Sequence, residues 1–297
     1  MARTFLFERS VRHSGLHLPQ ASHCGKVFEP PGGPNLLSRT NGTALMLGLA
    51  LGIAVLASRL PPIPQPSSYH QFADQRPWLG IPNFGNVASN LAFAVIGLEG
   101  LWVLLKPGKL TNAFADPRER RPYLVAMFGL LLTAFGSAYY HLAPSNARLV
   151  WDRLPMTIVF GALVAVVIIE HISAEAGLKL LPFLVAIAAG SVLQWYRDEL
   201  HGHGDLRAYA AVQLYSALVL LITPLLKSRY SRGYDFLIVF GWYALAKIFE
   251  TADRFIFTHT HIVSGHTLKH LAAASAGYWV LRMLRLREPS PPEFIAH

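Results

Sequence analysis

The chain has 297 residues, of which 53% are hydrophobic and only 14% charged. Soluble domains of this length carry more charge, about a quarter of their residues, so a single soluble globule is excluded. The formal net charge of +9 does not indicate nucleic acid, because the basic residues sit between apolar blocks, where they set topology and meet anionic headgroups.

In chain order, residues 1–41 are polar and rich in Gly, Pro, Ser and His, without periodicity, which is the composition of a disordered arm. The first apolar block, 43–60, is closed by Pro61 and Pro62. About 18 apolar residues suffice to cross a bilayer as a helix, so 42–62 reads as an extra transmembrane leader helix. A signal-like segment is the competing reading, opposed by the long arm in front of it. Seven further blocks follow at 86–105, 122–140, 150–169, 178–196, 208–226, 234–250 and 265–284. Pro107-Gly108, Pro117, Pro144-Ser145, Gly202 with Gly204, and Ser231 with Gly233 separate them. Only helices and closed barrels satisfy their backbone in lipid, and period-two alternation is absent. The fold class is therefore all-α: a polytopic transmembrane helix bundle, with a seven-helix domain over 80–286, the leader helix before it, and a tail at 287–297. The arm, the tail and alternate loops share one side and hold most of the 26 Lys and Arg. The positive-inside rule makes that side cytoplasmic, with both termini on it.

The residues that carry chemistry lie on three of these blocks. The second ends Gly136-Ser137-Ala-Tyr-Tyr-His141, so Ser137 and His141, four apart, share a helical face. A turn at Pro144-Ser145-Asn146 follows, with Ser145 placed to cap the third block, and Asp152 begins that block. The seventh opens with Ser264-Gly-His266-Thr-Leu-Lys-His270, again with two histidines four apart. The end of the second block and the start of the seventh are separated by four crossings, an even number, so all three pieces lie on one side of the membrane. Ionisable groups in lipid are expected to pair or to face a polar cavity. The single cysteine, Cys24, excludes an internal disulfide and a thiolate metal site. Three imidazoles suit a catalytic zinc, which takes three protein ligands and keeps one position open. His141, His266 and His270 are the candidate ligands. Asp152 is placed to orient water or carry a proton, and Ser137 to donate to a developing oxyanion or position a ligand.

At these residues the sequence resembles the alkaline ceramidase family of the CREST superfamily of membrane hydrolases. That family has seven helices, with SxxxH ending the second, Asp near the start of the third and HxxxH on the seventh. Ser137, His141, Asp152, His266 and His270 match this order, and FGSAYYHLAPSNARLVWDRLPM and SGHTLKHLAAA carry the resemblance. The resemblance covers roughly residues 80–285. It implies a zinc amidase that cleaves ceramide-type lipid amides to a sphingoid base and a fatty acid, with three histidines on zinc and Asp152 and Ser137 assisting. A lipid esterase or acyl-remodelling hydrolase of the same superfamily is an alternative, as is an adiponectin-receptor-like protein with structural zinc. Two features depart from the family. The leader helix is extra, and the family's acidic calcium-binding segment has no counterpart in FADQRPWLGIPNFGNVASN, where Asp74 is the only carboxylate. Zinc is carried over, and calcium is not.

Further polar residues read as structural. His201, His203 and Asp205, and His259 with His261, read as solvated loops. Glu99, Gln194, Gln213, Lys247 and Glu250, in or near apolar blocks, read as interhelical pairing partners.

Overall fold

The computed structural model describes residues 37–110 and 112–290. Most of the arm at 1–36 and the tail from 291 onward lie outside them. The described chain is all-helical, with no strand. Its helices are α1 (Arg39–Arg59), α2 (Phe84–Ala88), α3 (Leu91–Leu105), α4 (Arg120–Leu142), α5 (Asn146–His171), α6 (Ala174–Leu200), α7 (Arg207–Leu221), α8 (Asp235–Thr251), α9 (Asp253–Thr260) and α10 (Gly265–Leu286). Among the described residues, five helical segments are long and apolar enough to cross a membrane: Arg39–Arg59, Phe84–Leu105, Pro117–Leu142, Asn146–His171 and Ala174–Leu200. Leucines and phenylalanines such as Leu47, Leu98 and Phe183 stand exposed on them, which in water would be a large apolar patch and in lipid is the expected outer surface. These are the marks of a membrane protein.

Several local choices explain where the helices start and break. Helix α1 opens at Arg39 rather than at 42, because the Ser38 side chain accepts from the Asn41 N–H and caps it. Ser145 caps α5 through the Arg148 N–H, as its position after Pro144 suggested, and Ser264 caps α10 through the Thr267 N–H. The block expected at 86–105 is instead two helices with a break at Ser89-Asn90. There the Ser89 hydroxyl and the Asn90 amide both donate to the Asn86 carbonyl, competing with the helical pattern. The block expected to reach 226 ends at Leu221, and Pro224 sits in a short 3-10 turn after it. Helix α9 has no counterpart among the apolar blocks. It is eight residues long, and the polar sequence DRFIFTHT holds too few apolar residues for a membrane pattern.

Close approaches set the packing. A Cβ on Gly136 would lie 1.9 Å from the Trp151 carbonyl oxygen, and one on Gly265 would lie 2.2 Å from the Phe249 carbonyl oxygen. Glycine at 136 therefore lets α4 and α5 touch backbone to backbone beside Ser137 and Asp152, and glycine at 265 does the same for α10 and α8 beside His266. The core is built from side chains such as Leu104, Met127, Val166, Phe236 and Leu281. At the far end from the histidines, Glu170 pairs with Arg287 and Tyr123, and Glu119 pairs with Tyr230 and with Arg229 at 3.0 Å. These buried charges are all partnered, as an apolar surround requires. Glu99 pairs with Arg285 at 2.6 Å, and Gln213 accepts from the Tyr243 hydroxyl at 3.1 Å. Gln194 lies on an exposed face.

Candidate metal centre

His141 lies at the end of α4, and His266 and His270 lie one turn apart at the start of α10. Their nearest ligand atoms fall within 4.8 Å of one another, and all three residues are buried. The rings stand 4.8 to 5.0 Å apart, centroid to centroid. Neither nitrogen of His141 has a hydrogen-bond partner, and nor does Nε2 of His266. Unpaired buried polar atoms are costly, and three imidazoles converging with free nitrogens are what a metal ion would satisfy. The donor set, all nitrogen with no thiolate, fits a first-row divalent ion.

His270 is oriented by a residue that sequence reasoning did not single out. Its Nδ1 lies 2.8 Å from the Ser89 hydroxyl, while that hydroxyl's proton goes to the Asn86 carbonyl at 3.1 Å. The Ser89 oxygen is thus left as an acceptor. A proton on Nδ1 of His270 would donate to that oxygen and leave Nε2 as the ligand atom, the arrangement a metal ligand needs. The break between α2 and α3 is what presents Ser89 here.

Two further groups hold the centre. Asp253, at the start of α9, accepts from the His266 N–H at 2.8 Å with one oxygen and from the Ala73 N–H at 2.9 Å with the other. The second contact anchors a strap, residues 63–83, across this end of the bundle. Phe72 of the strap is buried, with its ring 4.7 Å from His141 and 4.6 Å from His266. His70 bridges the Tyr140 hydroxyl at 2.9 Å and the Asn146 amide oxygen at 2.8 Å. Asp74 is bound by Arg76, which also donates to the carbonyls of His261 and Ile262. These hydrogen bonds from the Arg76 side chain hold the Asp74 carboxyl below the usual aspartate range. No sequence pattern marks Phe72, His70 or Asp253, because their roles depend on how the strap folds back.

Ser137 and Asp152 meet across the α4–α5 contact, both buried, with the Ser137 hydroxyl in hydrogen-bonding reach of the Asp152 carboxylate. Asp152 also lines a cavity of about 310 Å3. Among the cavity's charged residues, Asp152 and Arg153 come from the start of α5, Lys247 and Glu250 from the end of α8, and Lys269 from α10 between His266 and His270. Its remaining wall is largely apolar, with Met127, Leu163, Leu220 and Val280 deeper in the bundle. From Lys269 to Val280 the helical rise amounts to about 16 Å. Glu250 is shared by two ammonium groups, Lys269 at 2.8 Å and Lys247, and it also accepts from Tyr69 at 3.2 Å. His201, His203, His259 and His261 stay outside this centre. His201 and His259 bond backbone carbonyls at 2.7 and 2.8 Å, and Asp205 binds Arg207 and the Ile63 N–H.

In comparison with known proteins, no family model matches the chain, and no curated protein matches it.

Proposed function

We propose that the protein is a zinc-dependent membrane hydrolase that cleaves ceramide-type lipid amides to a sphingoid base and a fatty acid. The observation that carries this reading is the position of Asp152. It lines an apolar cavity and pairs with Ser137, and Ser137 stands one helical turn from His141 in a cluster of three buried imidazoles, two of which, His141 and His266, have nitrogens without a partner. An acyl chain suits a pocket of this size and apolarity. The polar end suits the amide and the headgroup. His141, His266 and His270 would hold the zinc, which when bound supplies Lewis acidity and an acidified water. Asp152 takes the proton of the attacking water and returns it to the leaving nitrogen, so that C–N cleavage yields a free acid and an amine. Ser137 holds the Asp152 carboxylate in position. The short helices α7 and α8 and the charge-bearing α10 are read as further crossings, giving seven with the leader α1 in addition. The histidine end then faces away from the cytoplasm.

The test is incubation of full-length, zinc-loaded protein in detergent with defined ceramides, and mass-spectrometric detection of sphingoid base and fatty acid. Release of both products in equal amounts supports the proposal. Cleavage of lipid esters with no amide cleaved would move the assignment to acyl-ester hydrolysis, and a protein that binds zinc tightly and turns over neither would be a zinc-stabilised receptor or scaffold.

A further inference from the structure

The cavity's charge balance says more about its occupant. Five charged residues line it: Asp152, Arg153, Lys247, Glu250 and Lys269. Three are cationic and two anionic, so the wall carries one excess positive charge. Glu250 is shared by both lysines, and Asp152 is engaged by Ser137, with Lys269 the cation that acts on it most strongly. Arg153 is the cation left over. Among the described residues no carboxylate lies within ion-pairing distance of it, although it is only 5% exposed. Its Nη2 donates to the Gln65 side-chain oxygen at 2.6 Å, and its Nη1 is buried without a partner. The guanidinium is held by aromatic faces, with Trp195 at 4.6 Å, Tyr209 at 4.9 Å and Tyr69 at 5.4 Å. Rings fix a cation in place but do not neutralise it, and although Asp152 feels the charge of Arg153 it closes no salt bridge with it, so the guanidinium keeps an open edge for an anion. A planar guanidinium in a mostly apolar cavity recognises a carboxylate or phosphate better than a hydroxyl.

We infer that the cavity selects amide lipids whose amine portion carries an acidic group, with Arg153 as the residue that reads the acid. This rests on the amide-hydrolase part of the reading above and shifts its substrate class, from neutral ceramide-type lipids towards N-acyl amino-acid-like or acidic sphingoid amides. The position of Arg153, next to Asp152 and at the end of the cavity bordered by the strap residue Tyr69, places the acidic group at the headgroup end, with the acyl chain running towards Val280.

The experiment compares N-palmitoylglycine with N-palmitoylethanolamine, two amides of nearly equal shape that differ by a carboxylate in place of a hydroxymethyl group. A long-chain ceramide serves as the third substrate. Full-length zinc-loaded protein should hydrolyse the glycine conjugate with kcat/KM at least tenfold above the ethanolamide. In Arg153→Gln that ratio should fall to about one, through a raised KM for the glycine conjugate, and Arg153→Lys should restore part of it. Equal kcat/KM for the two conjugates in the wild-type protein, or faster turnover of neutral ceramide, overturns the inference while leaving the amidase reading intact. Because this comparison uses the unaltered protein, it decides the matter even where an Arg153 variant does not fold. No hydrolysis of any of the three amides would instead count against the amidase reading. In that case a competition assay, in which palmitate displaces a bound fluorescent fatty acid and palmityl alcohol does not, still tests the anion preference of the cavity.

Discussion

The side chains of the candidate metal centre have separable jobs, and single substitutions should separate them. Replacing His141, His266 or His270 by Ala should abolish zinc in the purified protein by elemental analysis, since two imidazoles and no thiolate leave an incomplete ligand set. Ser89→Ala keeps all three ligands but frees the His270 ring to take the wrong tautomer. It should weaken zinc affinity by about 10- to 100-fold, the usual cost of losing an orienting partner, measured by competition with a zinc indicator. Unchanged affinity in that variant would show that the hydroxyl orients nothing. Asp152→Asn should retain zinc and lose nearly all turnover, whereas Ser137→Ala should cost about 1.5–3 kcal/mol of transition-state stabilisation, the worth of one charge-assisted hydrogen bond; both are read from kcat/KM on the substrate with the fastest turnover. The gathering of His141, His266 and His270 was legible in the sequence, because i, i+4 spacing on a helix and the parity of crossings are rules of geometry. Ser89 was not, because its role depends on a helix break caused by side chains bonding their own backbone, which no apolar pattern records.

Helix contacts and the strap decide whether those residues meet at all. Gly136→Ala would push a methyl group into the Trp151 carbonyl, prying α4 from α5 where Ser137 faces Asp152. Overpacking of this kind typically costs about 1–3 kcal/mol, so thermal unfolding in detergent should come at a lower temperature and hydrolysis should fall even where zinc is retained. An alanine at 136 with full activity would mean that the backbone contact is not needed for the pair. The strap has its own pH limit. The Asp74 pKa is lowered in the folded protein by Arg76, so the stability this pair contributes is present above the ordinary aspartate value, about 3.9. It is lost as the pH falls through the lowered folded value. A fluorophore attached at position 75 should therefore report a closed strap at neutral pH and release on strong acidification. Asp74→Asn should show the released signal already at neutral pH. Apolar periodicity located the long helices to within a few residues, but it could not mark α9 or the strap, whose order comes from hydrogen bonds to Asp253, Asp205 and backbone carbonyls far along the chain.

The whole molecule is organised as a bundle with two chemically different ends. One end holds His141, His266 and His270 with the cavity's charged residues, and the other holds Glu119 and Glu170, paired with Arg229 and Arg287. If α7, α8 and α10 cross the bilayer, the loop at Pro144 and the loop at His261 open on the same face. Single cysteines placed at Ser145 and at Ile262 in a Cys24→Ala background should both react with an impermeant maleimide added to one side of oriented vesicles. Reaction from opposite sides would break the crossing count. The gathering of the histidines at one end could be anticipated from the sequence, because ionisable residues are rare enough in apolar helices that each one had to be explained. The pairing of Glu250 on α8 with Lys269 on α10 could not, since nothing along the chain shows which helices become neighbours.

Phe72 gives the centre a kinetic character that its ligands alone would not. A phenyl ring resting on two of the three imidazoles covers them, so an ion bound there would leave only when the strap lifts. The amount of metal held at equilibrium is then a property of the histidines, while the residence time is a property of residues 63–83. Stripping zinc with a water-soluble chelator should be slow and independent of chelator concentration once that concentration is high, because strap opening limits the rate. Phe72→Ala should speed the loss without changing how much zinc is bound when the chelator is absent. A wild-type rate that keeps rising in proportion to chelator would show that the ring guards nothing.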